Sequence, residues 1–329
     1  MTNRLDEDSS IHWHGLLVPF AMDGVPGISF PGIKPGQTFT YEFPIRQSGT
    51  YWWHSHSGLQ EQAGHYGPIV IESATPDPRY DRDYVVLLSE FSAMHPHEIA
   101  RKLKVGEHYF NYQMQTATNG DMPVDERVMW GGMRMNPRDI SDVTGSTYTF
   151  LVNGHGPMDN LEYLFAPGER VRLRVINGSA MTFFNVRIPG VPMTVIAADG
   201  MDVAPVEVDE FQIGTAETYD VIVTPPAGSH ALVAEAMDRS GMGLASLTSD
   251  KGARATPPPL REPVTLTMAD MGMGAMDGGH GGAMKQDAHG GMDHAGMDHA
   301  SMGHGAMNHG ASASTPAMNN GSMDHGGMD

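Results

Sequence analysis

In the stretch ERVRLRVIN (Glu169–Asn177), Val171, Leu173 and Val175 alternate with Arg170, Arg172 and Arg174. A period of two places the apolar side chains on one face of an extended strand and the guanidinium groups on the other, because successive strand residues point to opposite sides. A helix would scatter the same residues around its axis. The stretch therefore demands a sheet with one buried face, and similar signals recur around it. TYTFLVN, FFNVRIP, MTVIAAD, ETYDVIVTP, HALVAEA and VTLTM, between Thr147 and Met268, are short, rich in β-branched or aromatic residues, and separated by turn residues. Six or seven strands of this kind make a β-sandwich.

An earlier block reads the same way. From Ser10 to Glu72 the chain offers LLVPF, a turn at MDGVPG, the alternating QTFTYEF, then TYWWHSH and GPIVIE. A Pro- and Asp-rich stretch, SATPDPRYDRD (Ser73–Asp83), separates the blocks, and YVVLLSE opens the second. The mixed region from Met94 to Val143 is expected to hold one short helix within HEIARKLKVGEHYFNYQ. These signals predict an all-β chain with a first β domain over residues 1–75 and a second over 76–267.

After that the chemistry changes. Of the 26 Met and 17 His in the chain, 12 Met and 7 His lie at or beyond Met268. His289, His294, His299, His304 and His309 recur every five residues, with Met292, Met297, Met302 and Met307 three places behind the first four. Five matches neither the helical nor the strand period, and Gly-rich intervals cannot offset the entropy of ordering. Residues 268–329 are expected to be a disordered Met/His/Gly-rich tail.

Composition excludes several classes. A formal charge of −19 argues against nucleic acid as a partner, since phosphate binding needs clustered Lys and Arg. No apolar run is long enough to span a membrane, and MTNRLDEDSS lacks the apolar core of a secretory signal. The absence of cysteine removes disulfides, thiol nucleophiles and iron–sulfur clusters together.

Two His-x-His pairs stand out: His12 with His14 in SIHWHG, and His54 with His56 in TYWWHSHSG. Residues i and i+2 of a strand share a face, about 7 Å apart, so each pair presents two imidazoles on one side. If the strands approach, four imidazoles converge. Imidazole suits Cu, Zn, Fe and Ni, and four of them can serve more than one ion. Trp13, Trp52 and Trp53 flank the pairs within apolar surroundings.

HWHG followed by YWWHSHSG resembles the first two copper-binding motifs of the multicopper oxidases. DEDSSIHWHGLLVPFAMDGVPGISFPGIKPGQTFTYEF and GTYWWHSHSGLQEQAGHYGPIVIE are similar, more narrowly, to the bacterial copper-resistance branch of that family. INGSAMTFFNVRIPG and VIAADGMDVAPVEVDEFQIGTAETYDVIV resemble its second cupredoxin domain. The likeness runs from Thr2 to about Met268, and the tail matches the Met-rich linker that the branch places before a third domain.

The resemblance implies tandem cupredoxin-like Greek-key sandwiches and a share of a trinuclear copper centre. His12 would ligate the type 2 copper, and His14, His54 and His56 the type 3 pair. Asp23 matches the family acid that helps pass protons to oxygen; its plain reading is an Asp-Gly turn residue. The tail ligands would capture, store or deliver copper, since thioether sulfur prefers Cu(I) and imidazole accepts either oxidation state. The bland alternative is a spacer. Met129, Met133 and Met135 in VMWGGMRM fill core gaps or bind copper equally well on sequence alone.

The sequence also departs from the family. The late His-x-x-His-x-His and His-Cys-His motifs are absent, and His65, His95, His97, His108, His155 and His230 form no substitute set. A type 1 blue-copper site needs a thiolate and cannot be built. The expectation is a piece lacking the start of domain 1 and all of domain 3, with its type 2 and type 3 sites shared with the missing third domain. The parent would oxidise Cu(I) or phenolic substrates and reduce dioxygen to water, the chain alone being inactive. The alternative is a non-enzymatic copper-sequestering protein. By resemblance the parent is periplasmic.

Overall fold

The computed structural model describes residues 1–75, 77, 79–114, 122–138, 145–267 and 270. These all belong to one compact unit, Met1–Asp277. Among the described residues the fold is all-β apart from two short helices, α1 (Pro96–Leu103) and α2 (Val124–Met133), and two short 3-10 turns. The tail ligands predicted from sequence, His289, Met292, His294, Met297, His299, Met302, His304, Met307 and His309, lie outside the described residues.

The first block forms a three-stranded antiparallel sheet of β1 (His12–His14), β2 (Gly49–His54) and β3 (Tyr66–Ile71), with β2 in the middle. The second block forms two sheets. One carries β4 (Arg82–Phe91), β5 (Thr149–Val152), β7 (Val171–Asn177), β9 (Met193–Ala198), β10 (Met201–Val208) and β12 (Thr218–Val223) in the order β10-β9-β12-β7-β4-β5. The other carries β6 (Leu161–Leu164), β8 (Phe184–Arg187), β11 (Glu210–Ile213), β13 (Ser229–Ala236) and β14 (Met242–Thr248) in the order β11-β8-β13-β14-β6. All pairings are antiparallel except β4 with β7 and β6 with β14. Val86, Leu88, Leu173, Val175, Met193 and Val221 from one sheet pack against Phe184, Val186, Ile213, Leu232 and Leu247 from the other, forming a single core.

Several sequence readings need correction. QTFTYEF is not a regular strand. Only its start pairs, through Asn3 N–H to Gln37 O and Phe39 N–H to Met1 O, both 2.9 Å. Beyond Phe39 the segment finds no ladder among the described residues, and its aromatic rings pack instead: Tyr41 and Phe43 edge-on to Trp13, and Phe39 edge-on to Phe30. LLVPF is likewise not a strand. The Gln47 side chain takes the place of a ladder partner there, accepting from Leu17 N–H at 2.7 Å and donating to Gly15 O at 2.8 Å. VTLTM is irregular over its described residues, and its backbone bonds run from Leu266 N–H to Pro137 O and from Asp270 N–H to Thr267 O.

Conversely, β6, β10, β11, β14 and α2 have no clear signal in the sequence pattern. β14 is rich in Gly, Ala and Ser, whose weak strand propensity hides a segment that is almost wholly buried. β10 contains Pro205, which suits only an edge strand or a bulge, and it is both: exposed along its length, with a register shift between Asp202 and Val206. Met129 and Met135, in and just beyond α2, are 41% and 48% exposed, so they do not fill the core.

The charged face of ERVRLRVIN does not meet water. All seven residues of β7 are buried. The face carrying Arg172 and Arg174 is covered by β2 of the small sheet, where Thr50 donates to Asp220 Oδ1 at 2.7 Å and accepts from Arg174 Nη1 at 2.9 Å. Arg172 pairs with Asp220, and Arg174 forks onto Asp83 at 2.7–2.9 Å. Next to this junction Trp52 of β2 packs with Leu87 and Ile176. Gly200 closes the same seam: at φ +76° and against the Tyr51 ring, an added Cβ would stand 2.2 Å from Tyr51 Cε1.

Asp220 is 1% exposed and is the shared anion of two buried arginines. Asp220→Ala leaves Arg172 and Arg174 desolvated beside an unmatched gap, and is expected to cost about 3–5 kcal/mol in urea unfolding. Asp220→Asn, which keeps the shape and the Thr50 contact, is expected to cost less.

Candidate metal centre

β1 and β2 bring the two histidine motifs together by register. His12 pairs with His54, Trp13 with Trp53 and His14 with Trp52. The turn holding Asp23 lies directly under β1, where an added Cβ on Gly24 would fall 1.7 Å from Ile11 O, and its φ of +79° also requires glycine. β2 ends at His54, and the chain then turns so that His56 comes back to the same side. Its backbone N–H donates to Ser10 Oγ at 2.9 Å, and Ser57 donates to the same hydroxyl at 2.9 Å.

The four rings converge. His12 stands 5.5 Å from His14, 5.3 Å from His54 and 4.9 Å from His56, centroid to centroid. His54 lies 5.4 Å from His14 and 5.1 Å from His56. His14 Nδ1 and His54 Nε2 approach to 3.2 Å. Ligand nitrogens of His12, His14 and His54 all lie within 4.8 Å of one another. Two nitrogens bound to one ion at about 2.0–2.1 Å sit about 3.3 Å apart at a tetrahedral angle, so this donor set fits a transition metal that accepts imidazole.

The surroundings favour neutral, ligating imidazoles. Burial, with His54 and His12 adding to it, lowers His14 to about 4. Burial also depresses His56, again reinforced by His12 and His54. Trp52 stacks on His54 at 4.3 Å and 19°, and on His14 at 5.1 Å and 29°. Asp23 meets His12 chiefly through its backbone: its carbonyl oxygen is 2.8 Å from His12 Nδ1, and carboxylate Oδ1 is 3.4 Å away.

Residues that the motif spacing did not single out complete the site. Gln60 is buried and links both motifs, accepting from Ser9 and Ser55 hydroxyls at 2.9 Å and donating to Glu7 Oε1 and Asp8 O. Glu61 places Oε2 3.0 Å from His54 Nδ1. The signal for both is the loop sequence HSHSGLQEQ, but which of its polar residues turns inward depends on the fold. A cavity of about 450 Å³ opens beside His56 and Glu61 and is walled by Leu59, Ile99, Leu103, Tyr148 and Met181.

Beneath that cavity Glu90 accepts from Ala180 N–H at 3.1 Å and from the Thr182 hydroxyl. Burial pushes its carboxyl up to about 7, against the pull of those hydrogen bonds. The folded state therefore keeps a proton that the unfolded chain has released, and this group's contribution to stability falls as pH rises from about 4.5 to about 7. Glu90→Gln is expected to flatten the stability–pH curve across that window by on the order of 3 kcal/mol, measured by denaturant unfolding at pH 5 and pH 8.

Known proteins share this architecture. The chain matches the multicopper oxidase family over residues 1–76 and again over 83–251. It belongs to the multicopper oxidases, a family of copper-dependent oxidoreductases. Within that family it falls in the copper-resistance branch, being 51% identical over 302 residues to copper resistance protein A of Escherichia coli, a match covering 88% of this chain. It is 50% identical over 303 residues to the copper resistance protein A homolog of Pseudomonas syringae pv. tomato, again over 88% of this chain. The chain spans about half the length of these relatives, 50% and 51% respectively. The laccase of Botrytis aclada superposes with a TM-score of 0.58 and 28% identity over 81% of this chain and 47% of its own. With no cysteine in the chain, a type 1 copper site is not available to it.

Proposed function

We propose that His12, His14, His54 and His56 are one half of a trinuclear copper centre, with His12 on the type 2 position and the other three on the type 3 pair. The remaining ligands, and the type 1 copper, would come from a third cupredoxin domain. The observation that carries this reading is the 3.2 Å approach of His14 Nδ1 to His54 Nε2, with His12 in the same 4.8 Å group. In this reading the whole protein oxidises Cu(I) or a phenolic substrate and reduces dioxygen to water, and the chain by itself does not turn over. Bound copper would supply the electron transfer that no side chain here provides.

The chain's own residues prepare that chemistry. Burial keeps His14 and His56 neutral, so their lone pairs are free for ligation at neutral pH. Trp52 fixes the planes of two of the rings. Asp23, 34% exposed and 3.4 Å from His12 Nδ1, would carry protons between solvent and the cluster. The Met/His tail would gather copper and pass it on, in the periplasm where the copper-resistance branch works. A second reading, copper sequestration without turnover, rests on that repeat of soft ligands, HGGMDHAGMDHASMGHGAMNHG.

Anaerobic Cu(I) loading followed by metal analysis and an optical spectrum tests these readings. Replacing all four histidines with Ala is expected to remove the copper held by the β body and to leave tail-bound copper in place. Equal copper content in that variant and in the original chain would defeat the cluster assignment. Deleting residues 268–329 is expected to remove most of the remaining capacity, and unchanged stoichiometry would reduce the tail to a spacer. An oxidised, loaded sample is expected to lack an intense blue band.

A further inference from the structure

Asp23 is the acid that the family resemblance assigns to the cluster, yet the carboxylate that comes closer to a cluster imidazole nitrogen is that of Glu61. Its Oε2 lies 3.0 Å from His54 Nδ1. The hydrogen-bond partner of that nitrogen is the Ser55 carbonyl oxygen, 3.1 Å away, and the Glu61 carboxylate stands beside it as a charged contact. A backbone carbonyl and an ionised carboxylate both only accept, so Nδ1 of His54 carries the hydrogen. The ring's lone pair is then left on Nε2. That nitrogen is the one 3.2 Å from His14 Nδ1.

The loop that presents Glu61 is held on both sides. Gln60 beside it is clamped by Ser9, Ser55, Glu7 and Asp8, and Gly64 N–H donates to Glu61 O at 2.9 Å. His54 is 8% exposed at its side chain and Glu61 26%, so the contact is shielded on the histidine side and reaches solvent through the cavity beside His56. Trp52 sets the plane of the His54 ring, while Glu61 and Ser55 set which of its nitrogens faces the cluster.

We propose that Glu61 is a positioning residue of the centre: its carboxylate locks His54 in the Nδ1–H form and makes Nε2 a stronger donor, which sets how tightly the His14/His54 pair takes copper. The proposal rests on the reading of these histidines as copper ligands. A carboxylate behind a ligating imidazole fixes its tautomer and raises its basicity, and removing such a partner typically weakens metal binding 10–100-fold.

The test follows the ring nitrogens of His54 by NMR in the 329-residue chain, labelled with ¹⁵N-histidine, first without metal and then at free Cu(I) levels fixed by a competing chelator. Buffering free Cu(I) separates this site from the tail. In the unsubstituted chain Nδ1 is expected to be protonated and Nε2 bare. Glu61→Gln, which retains an acceptor without the charge, is expected to keep that tautomer and to weaken Cu(I) binding less than Glu61→Ala. Glu61→Ala is expected to mix the tautomers and to move the Cu(I) midpoint at His54 by 10–100-fold.

Protonation of Nε2 in the unsubstituted, metal-free chain overturns the proposal without any variant. So does a Glu61→Ala chain with an unchanged tautomer and midpoint. If Glu61→Ala mixes the tautomers but Cu(I) never perturbs His54 in the unsubstituted chain, the Glu61 lock stands as a structural device, and both the affinity role and the copper reading of the four histidines fall.

Discussion

The buried contact between Thr50 and the Arg172–Asp220–Arg174 group is the interaction on which the rest of the arrangement rests. β2 carries Thr50, Trp52 and His54 at alternate positions along one strand. Thr50 and Trp52 are spent on the outer face of the larger sandwich, one by hydrogen bonds and one by apolar packing with Leu87 and Ile176. Once those two are fixed, the strand period leaves His54 no freedom in direction. The three-stranded sheet is too small to be rigid alone, and the sandwich supplies the stiffness that holds an imidazole in place.

From that anchor the site grows by register. β1 pairs with β2 so that His12 lies opposite His54, and His14 is drawn against the Trp52 ring. The glycine turn under Ile11 brings Asp23 to His12, and the Ser9, Ser10, Ser55, Ser57 and Gln60 hydroxyl and amide network folds His56 back to the same side. Backbone carbonyls meet the Nδ1 atoms of both rings, that of Asp23 at His12 and that of Ser55 at His54, with the Glu61 carboxylate beside the latter. The result is a set of imidazoles held from several elements by packing and hydrogen bonds.

Much of this was legible in the sequence, and the failures are informative. The His-x-His pairs, the turn at Asp23 and strands such as β7, β9 and β12 follow from period and turn chemistry that act locally. QTFTYEF departs from its pattern because alternation shows that a segment is fit for a ladder, not that a partner strand lies alongside. β14 was missed because Gly, Ala and Ser are chosen there for close packing between strands, a reason invisible in propensity. Glu61 was missed because it lies seven residues beyond His54 in an irregular loop, where no period says which side chain turns inward.

The sequence by itself determined the class of structure and the identity of the donors: short alternating strands, two imidazole pairs spaced by two, and no thiolate for a blue-copper site. Only the tertiary structure decided which of those imidazoles converge, that the arginine face of β7 is an interior junction and not a wetted surface, and that Glu61 stands behind His54. The reason is one of range. Strand period and turn preference are set by neighbours along the chain, whereas convergence of His12, His14, His54 and His56 depends on a β1–β2 register and on a Thr50–Asp220 contact spanning 170 residues.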